Sequence, residues 1–295
     1  MADPTDTTET TDDLRRVTSV THGDLVLDVV DEGPIDGEPV LLLHGFPERA
    51  SCWRLVAPLL HEEGYRTIAV DQRGYAPGAR PKRRRDYRVS LLAADAVAVI
   101  DAVVGERGSV HVVGHDWGAI VAWALGQHHA DRVRTLTAVS VPHPGAFLAS
   151  MVRSSQLLKS WYMLAFQLPV LPELLLGRIR SAADSQLASA GMTREDVERV
   201  RTEILDYGAL PGALGWYRAL PLNPPGLMRA RVGVPTTLVW SDEDIALGRW
   251  GAEHTVRWVD GPYRFVELRG VSHWIPTQAP APLVEAILDR LRGGE

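Results

Sequence analysis

Residues 114–118 read Gly-His-Asp-Trp-Gly and decide the fold of this chain. An apolar run precedes them at residues 110–113, and a helix-like apolar stretch follows at residues 119–125. This order predicts a strand, a sharp turn and a helix, with Asp116 in a strained backbone conformation at the carboxyl end of the strand. The two flanking glycines leave room for the helix to pack on neighbouring strands. A turn of this kind usually presents a serine nucleophile; here it presents a carboxylate, unless Asp116 only caps the helix.

Strand-like and helix-like segments alternate on both sides of this turn. Short apolar runs predict strands at residues 26–30, 39–43, 67–70, 110–113, 136–139, 236–240 and 265–268. Helical patterns predict helices at residues 90–104, with Ser90 as the N-cap, and at residues 119–128, 246–258 and 281–291. Such alternation predicts an α/β fold with a doubly wound, mostly parallel central sheet flanked by helices.

The alternation stops between about residues 143 and 230, where helical segments are broken by prolines and no convincing strand occurs. We interpret this segment as a helical cap, or lid, inserted over the carboxyl edge of the sheet, where ligands bind in open α/β sheets. The core is then predicted from residues 16–142 and 231–295. Residues 1–15, rich in Thr and Asp, are predicted to form a disordered tail.

The composition excludes several classes of function. The 295 residues carry a formal net charge of −6, which argues against general nucleic-acid or anionic-membrane binding. One basic run, Arg-Pro-Lys-Arg-Arg-Arg at residues 80–85, is interpreted as a solvated loop rather than a targeting or phosphate-binding patch. The single cysteine, Cys52, rules out an internal disulfide and a thiolate metal site. With no signal-sequence or membrane-span pattern, a cytoplasmic location is expected.

A nucleophile on this kind of turn needs an acid and then a histidine later in the chain. His273 lies in Gly-Val-Ser-His-Trp at residues 270–274, just before the last predicted helix, and is the expected base. The loop after the predicted strand at residues 236–240 offers several carboxylates. Asp244 is favoured over Asp242, because a few residues past the strand end are needed to reach the histidine.

Two backbone N–H groups are candidates to stabilise an oxyanion: that of Trp117 after the turn and that of Phe46 in His-Gly-Phe-Pro at residues 44–47. Attack by the Asp116 carboxylate on an ester would give an unstable anhydride, whereas attack on an activated alkyl carbon gives a stable ester. The aspartate therefore indicates an epoxide or a carbon–halogen bond as the electrophile. The histidine, oriented by the acid, would then activate water to hydrolyse the alkyl ester.

Four motifs together resemble the α/β-hydrolase-fold epoxide hydrolases of the soluble and microbial type. They are His-Gly-Phe-Pro at 44–47, Asp-Gln-Arg-Gly-Tyr at 71–75, Gly-His-Asp-Trp-Gly at 114–118 and Gly-Val-Ser-His-Trp at 270–274. The resemblance covers nearly the whole chain from about Arg16. It implies two cap tyrosines that grip the epoxide oxygen: Tyr162, which precedes Phe-Gln-Leu-Pro, and Tyr217, within Trp-Tyr-Arg. The substrate pocket is expected to include neighbours of these motifs, namely His44, Pro47, Trp161, Phe166 and Trp274.

The resulting hypothesis is a cofactor-independent epoxide hydrolase that converts a lipophilic epoxide into a vicinal diol, with Asp116, Asp244 and His273 as its catalytic triad. Two alternatives stay open: a haloalkane- or haloacid-type dehalogenase with the same nucleophile, and a non-catalytic ligand-binding protein of the same fold. The resemblance disfavours the dehalogenase, because such enzymes carry Asn where this chain has Phe46, or Arg where it has Trp117. No metal, nucleic acid or membrane partner is expected, and a homodimer is left open.

Overall fold

The computed structural model describes residues 15–178, 180–224 and 226–293. The tail predicted at residues 1–15 lies, except for Arg15, outside the described residues. The strands are β1 (Ser19–His22), β2 (Leu25–Glu32), β3 (Glu38–Leu43), β4 (Tyr65–Asp71), β5 (Val110–His115), β6 (Val133–Val139), β7 (Thr236–Ser241) and β8 (Tyr263–Leu268). They form one sheet in the order β1-β2-β4-β3-β5-β6-β7-β8, in which β2 runs antiparallel to both neighbours and the other pairs are parallel. The predicted α/β fold with a mostly parallel sheet is confirmed.

Helices follow or connect most of these strands. The α-helices of the described residues are α1 (Ala57–Glu62), α2 (Val89–Val104), α3 (Trp117–His128), α4 (Pro144–Arg153), α5 (Gln156–Lys159), α6 (Trp161–Ala165), α7 (Leu171–Arg178), α8 (Arg180–Ser189), α9 (Arg194–Val200), α10 (Leu210–Ala219), α11 (Arg249–His254), α12 (Ile275–Gln278) and α13 (Pro280–Leu291). Short 3₁₀ helices span Ala50–Leu55, Pro77–Ala79, Arg84–Tyr87, Ala130–Arg132, Leu220–Leu222, Leu227–Arg229 and Thr255–Trp258, and a π-helical segment, Arg201–Asp206, continues α9.

Both faces of the central strands are buried, which explains why their sequences are continuous apolar runs. In β3, Leu41 and Leu43 pack in one hydrophobic cluster with residues of α2 and α3. Val40 and Leu42 pack in a second cluster with residues of α1 and α13. Because side chains alternate across a strand, this pattern places helices on both faces of the sheet.

Between residues 143 and 230 the described part of the chain forms helices and turns, from α4 to α10, and contains no strand. This segment shares the first hydrophobic cluster with the sheet: Trp216 of α10 is fully buried, and its indole N–H donates to the Arg73 carbonyl oxygen at 2.7 Å. The limits of the cap at residues 143 and 230, and the matching core ranges, stay a prediction. Within the described residues no helix is long and apolar enough to cross a membrane.

Some details of the predicted elements are wrong. The helix α2 begins at Val89 rather than after an N-cap at Ser90, and the side chain of Asn223 accepts the Val89 N–H at 2.9 Å instead. The helix predicted at residues 246–258 is shorter, because α11 begins only at Arg249 and ends at His254. The edge strand β1 has no counterpart in the prediction, because its four residues carry no continuous apolar run.

Candidate active site

Asp116 lies on the sharp turn between β5 and α3. Its backbone has φ of +51° and ψ of −118°, a conformation of a kind that costs a non-glycine residue on the order of 1–3 kcal/mol. Only glycine fits beside it, because a Cβ on Gly118 would lie 2.0 Å from the Leu43 carbonyl oxygen, and one on Gly114 2.2 Å from the Gly118 carbonyl oxygen. The Asp116 carboxylate makes no capping hydrogen bond to α3. Helix capping therefore does not account for the aspartate.

The side chains of Asp116, His273 and Asp244 form one chain of polar contacts. The Nε2 atom of His273 lies 3.5 Å from Asp116 Oδ2, and its Nδ1 atom lies 2.7 Å from Asp244 Oδ2. The other oxygen of Asp244 accepts the N–H groups of Ala246 and Leu247, both at 2.8 Å. These two bonds hold the acid facing the imidazole.

The carboxylate of Asp242 points to a different partner. It accepts the Gly270 N–H at 2.8 Å, and its residue is exposed to solvent. Asp244, in contrast, is 3% exposed and contacts the imidazole directly. The geometry thus brings Asp244 rather than Asp242 to His273.

The triad is electrostatically coupled. Burial by itself would lower the pKa of His273, but the carboxylates of Asp244 and Asp116 outweigh burial and raise this pKa to about 10. Burial would likewise raise the pKa of Asp116, but the His273 imidazolium, His115 and the Phe46 N–H together hold it below its usual value. At neutral pH the resting pair is therefore an Asp116 carboxylate and a His273 imidazolium.

One oxygen of the Asp116 carboxylate is held by a backbone N–H group. The Phe46 N–H donates to Asp116 Oδ1 at 2.7 Å. This approach requires Gly45, because a Cβ there would lie 2.3 Å from the Cβ of Asp116. Trp117 is the first residue of α3, so its N–H has no acceptor within the helix and is left available at the turn.

Tyr162 on α6 and Tyr217 on α10 line the same cavity as Asp116, and their ring centroids are 6.1 Å apart. The ring of Tyr217 is held edge-on against Trp117 at 5.0 Å and against Phe46 at 5.3 Å. Burial, reinforced by the negative charge of Asp116, raises the pKa of both phenols. Both hydroxyls therefore stay protonated at neutral pH and can donate hydrogen bonds into the cavity.

The cavity above Asp116 has a volume of about 480 Å³ and mostly apolar walls. Four of the residues predicted for the substrate pocket line this cavity: Pro47, Trp161, Phe166 and Trp274. The prediction for His44 is wrong. This residue is fully buried and is absent from the cavity wall, because its Nε2 accepts the Gln72 N–H at 3.1 Å and its ring packs 4.4 Å from that of Tyr75. Burial lowers the pKa of His44, which keeps it a neutral acceptor.

The sequence did not single out the residues that hold the backbone of His273. The carbonyl oxygen of His273 accepts a hydrogen bond from His115 Nε2 at 3.0 Å and another from Ser140 Oγ at 2.9 Å. Glu48 lies behind His115, with 3.5 Å between its Oε2 and the Nδ1 of the histidine. His115 lies within the motif at residues 114–118 and Glu48 directly follows the motif at residues 44–47, and these positions were the only signal in the sequence.

The sequence profile of the alpha/beta hydrolase fold family matches residues 38–279. The AB hydrolase superfamily protein YfhM of Bacillus subtilis is 35% identical over 275 residues, which cover 91% of this chain and 95% of that protein. Epoxide hydrolase A of Mycobacterium tuberculosis is 30% identical over 311 residues, with the same shares of the two chains covered.

A solved structure agrees with these sequence matches. The crystal structure of Epoxide Hydrolase A from Mycobacterium thermoresistibile superimposes with a TM-score of 0.81 and is 28% identical in sequence. The superposition covers 94% of this chain and 98% of that one. It therefore extends beyond the sheet to nearly all of the two chains.

Proposed function

The chain is a member of the epoxide hydrolases of the α/β-hydrolase fold, and from this premise we propose that it converts a lipophilic epoxide into a vicinal diol through a covalent ester on Asp116. The observation that carries the proposal is a carboxylate on the strained turn, paired with the His273 imidazole and facing two tyrosines across an apolar cavity. Each of these groups has a defined part in a two-step reaction.

In the first step a carboxylate oxygen attacks one carbon of the epoxide. The Phe46 N–H holds Oδ1 of Asp116, which leaves Oδ2 as the attacking atom. A carbon–oxygen bond of the ring breaks as the ester bond forms, and the departing oxygen takes a proton from Tyr162 or Tyr217. General-acid assistance of this kind is worth about 10²–10⁴-fold in rate.

In the second step water hydrolyses the ester. Once Asp116 is esterified it no longer carries a charge, so one of the two carboxylates that raise the pKa of His273 is lost. The imidazolium then gives up its proton, which restores the tyrosine, and the free imidazole removes a proton from the attacking water. The Phe46 and Trp117 N–H groups stabilise the oxyanion on the former carboxyl group, and its collapse releases the diol and the Asp116 carboxylate.

The test compares the protein with Asp116→Asn and His273→Gln on a phenyl-substituted epoxide. The proposal expects diol from the wild type and a loss of at least about 10⁴-fold in turnover for Asp116→Asn. His273→Gln should form the ester but not hydrolyse it, so a mass increase equal to the epoxide should build up on the protein. His128→Gln, which changes an exposed histidine, is the matched control and should turn over normally.

The same assay separates the alternatives. Halide release from the bromoalkane of the same carbon skeleton, without diol from the epoxide, would favour a dehalogenase. Saturable binding of the epoxide without any product would favour a ligand-binding protein. Either result would overturn the proposal.

A cytoplasmic location is also part of the proposal, whereas assembly into a homodimer stays open. The single cysteine, Cys52, is buried, and burial raises its pKa well above the usual value, so it has neither a partner within the chain nor a reactive thiolate. This supports a reducing compartment. Fractionation of the host cells and sedimentation of the purified protein measure the two properties directly.

A further inference from the structure

A second cavity, of about 300 Å³, lies away from Asp116, between α4, the 3₁₀ helix Leu227–Arg229 and the segment that runs from α11 to Trp258. We call it the arginine pocket and define it by Arg153, Arg229, Arg231, Arg257, Trp250 and Trp258, which all line it. Its residues come from both the predicted cap and the predicted core. No part of the proposed reaction uses it.

The charges around the arginine pocket are not balanced. Arg231 is paired, with its Nε donating to Asp260 Oδ1 at 2.7 Å. Within the part of the chain that the structure describes, Arg153, Arg229 and Arg257 have no carboxylate at ion-pair distance. Three exposed arginines with no carboxylate partner among the described residues thus line one cavity, on a protein whose net charge is −6. This arrangement is the electrostatic pattern of an anion site.

The aromatic walls of the pocket are fixed in place by packing. Trp250 stacks on His254 with ring centroids 3.8 Å apart and an interplanar angle of 10°, and the Arg153 guanidinium lies 5.8 Å from the Trp250 ring centroid. Trp258 stacks on the buried His143 at 5.1 Å, again at 10°. One face of each tryptophan ring is therefore covered by a histidine, and both half-buried tryptophans line the pocket beside the arginines.

We propose that the arginine pocket binds a small planar organic anion that carries a phosphate group. Guanidinium groups bind phosphate oxygens with paired, charge-assisted hydrogen bonds, and three unpaired guanidiniums match a dianion with several terminal oxygens. The tryptophans accommodate an aromatic body next to it. A cavity of about 300 Å³ is at the lower end of the range for small-molecule sites, which suits a single ring with one phosphate.

Calorimetric titration of the full-length protein with phenyl phosphate tests the proposal. Saturable binding with one ligand per chain is expected, and Arg229→Gln/Arg257→Gln should weaken it by roughly tenfold or more. Arg83→Gln/Arg85→Gln is the matched control, because it removes the same charge from two exposed arginines outside the pocket. The control should retain the affinity of the wild type within roughly twofold. Epoxide turnover should be unchanged in both variants, which shows that they are folded.

Several outcomes would overturn the proposal. Absence of saturable binding to the wild type is one. Equal weakening by both double variants is another, because it would indicate a response to net charge rather than to a site. If inorganic phosphate binds as tightly as phenyl phosphate, the planar body has no role. If benzyl alcohol, which has no phosphate group, binds as tightly as phenyl phosphate, the arginines have no role in binding.

Discussion

The Asp116 side chain combines three properties. The side chain is a carboxylate, one of its oxygens is held by the Phe46 N–H, and the other faces His273. A serine at this position would attack acyl carbons, whereas the carboxylate is suited to alkyl carbons. Because the pKa of His273 is raised to about 10 by two carboxylates, the resting histidine is an acid and becomes a base only after Asp116 is esterified.

The tyrosines are expected to act on the first step and not on the second. Tyr162→Phe and Tyr217→Phe should each slow ester formation by about 10²-fold, because each removes one donor to the departing oxygen. Their joint replacement should slow it further, while hydrolysis of ester already formed should change little. Stopped-flow tryptophan fluorescence resolves the two steps. Tyr263→Phe is the control, since that buried hydroxyl has no hydrogen-bond partner among the described residues and lies outside the cavity. Equal rates for all three variants would contradict these roles.

The coupled triad also predicts how stability depends on pH. His273 has a folded-state pKa of about 10 against 6.5 for the unfolded chain. Its stabilising effect is therefore complete below about pH 6.5 and is lost as pH rises towards 10. His273→Gln should reduce the free energy of unfolding by about 3 kcal/mol at pH 6, and the difference from wild type should shrink steadily towards pH 10. Urea denaturation across this pH range measures it, and a constant difference would show that the histidine is not an imidazolium in the folded protein.

The turn between β5 and α3 depends on glycine for steric reasons. In Gly118→Ala the new Cβ would lie 2.0 Å from the carbonyl oxygen of Leu43 in β3, which cannot move unless the strand moves with it. We therefore expect a loss of at least about 3 kcal/mol in the free energy of unfolding. Gly226→Ala is the matched control: that glycine has φ of −79°, and no atom of the described residues, its chain neighbours aside, lies within 4 Å of the added carbon. The control should be neutral or stabilising by up to about 1 kcal/mol. Equal stabilities of the two variants would refute the steric argument.

The strands could be predicted from sequence where both of their faces are buried. β5, for example, is buried along its whole length and reads as an apolar run. β1 could not, because only one of its four residues is buried. The start of α2 also escaped prediction, since the group that binds the Val89 N–H is Asn223, far away in the chain. Local patterns report burial well, but they do not report which distant side chain completes a helix end.

Some residues of the site could likewise be predicted from sequence, and others could not. Asp116 and His273 follow from motif and chain order, and the structure brings their side chains within 3.5 Å of each other. The position of His44 outside the cavity could not be predicted from the motif, because its burial depends on the packing of Tyr75 and Trp216 around it. The arginine pocket was equally hidden, since its cationic residues come from separate segments of the sequence.

The predicted cap and the predicted core meet through direct backbone packing. A Cβ on Gly212 of α10 would lie 2.3 Å from the carbonyl oxygen of Gly74, and the Arg54 guanidinium donates to Asp196 at 2.7 Å across the same boundary. The position of α10, and with it that of Tyr217, is therefore set by contact with the core.

Replacement of Gly212 should accordingly affect stability and turnover together. Gly212→Ala should lower the free energy of unfolding by about 1–3 kcal/mol and also slow epoxide opening, because the displaced helix carries Tyr217 away from the cavity. Thermal denaturation and steady-state kinetics report the two effects. Gly226→Ala, in the same predicted cap, should change neither. If Gly212→Ala is stable and fully active, α10 does not depend on this contact.

The covalent ester on Asp116 is tested most directly by isotope transfer. A single turnover is run in heavy-oxygen water with protein in excess over epoxide, and the peptide that contains residue 116 is then weighed by mass spectrometry. Water attacks the ester carbonyl, so the heavy oxygen should enter the Asp116 carboxylate and the diol should keep the light one. Heavy oxygen in the diol, with an unlabelled Asp116 peptide, would mean that water attacks the epoxide directly.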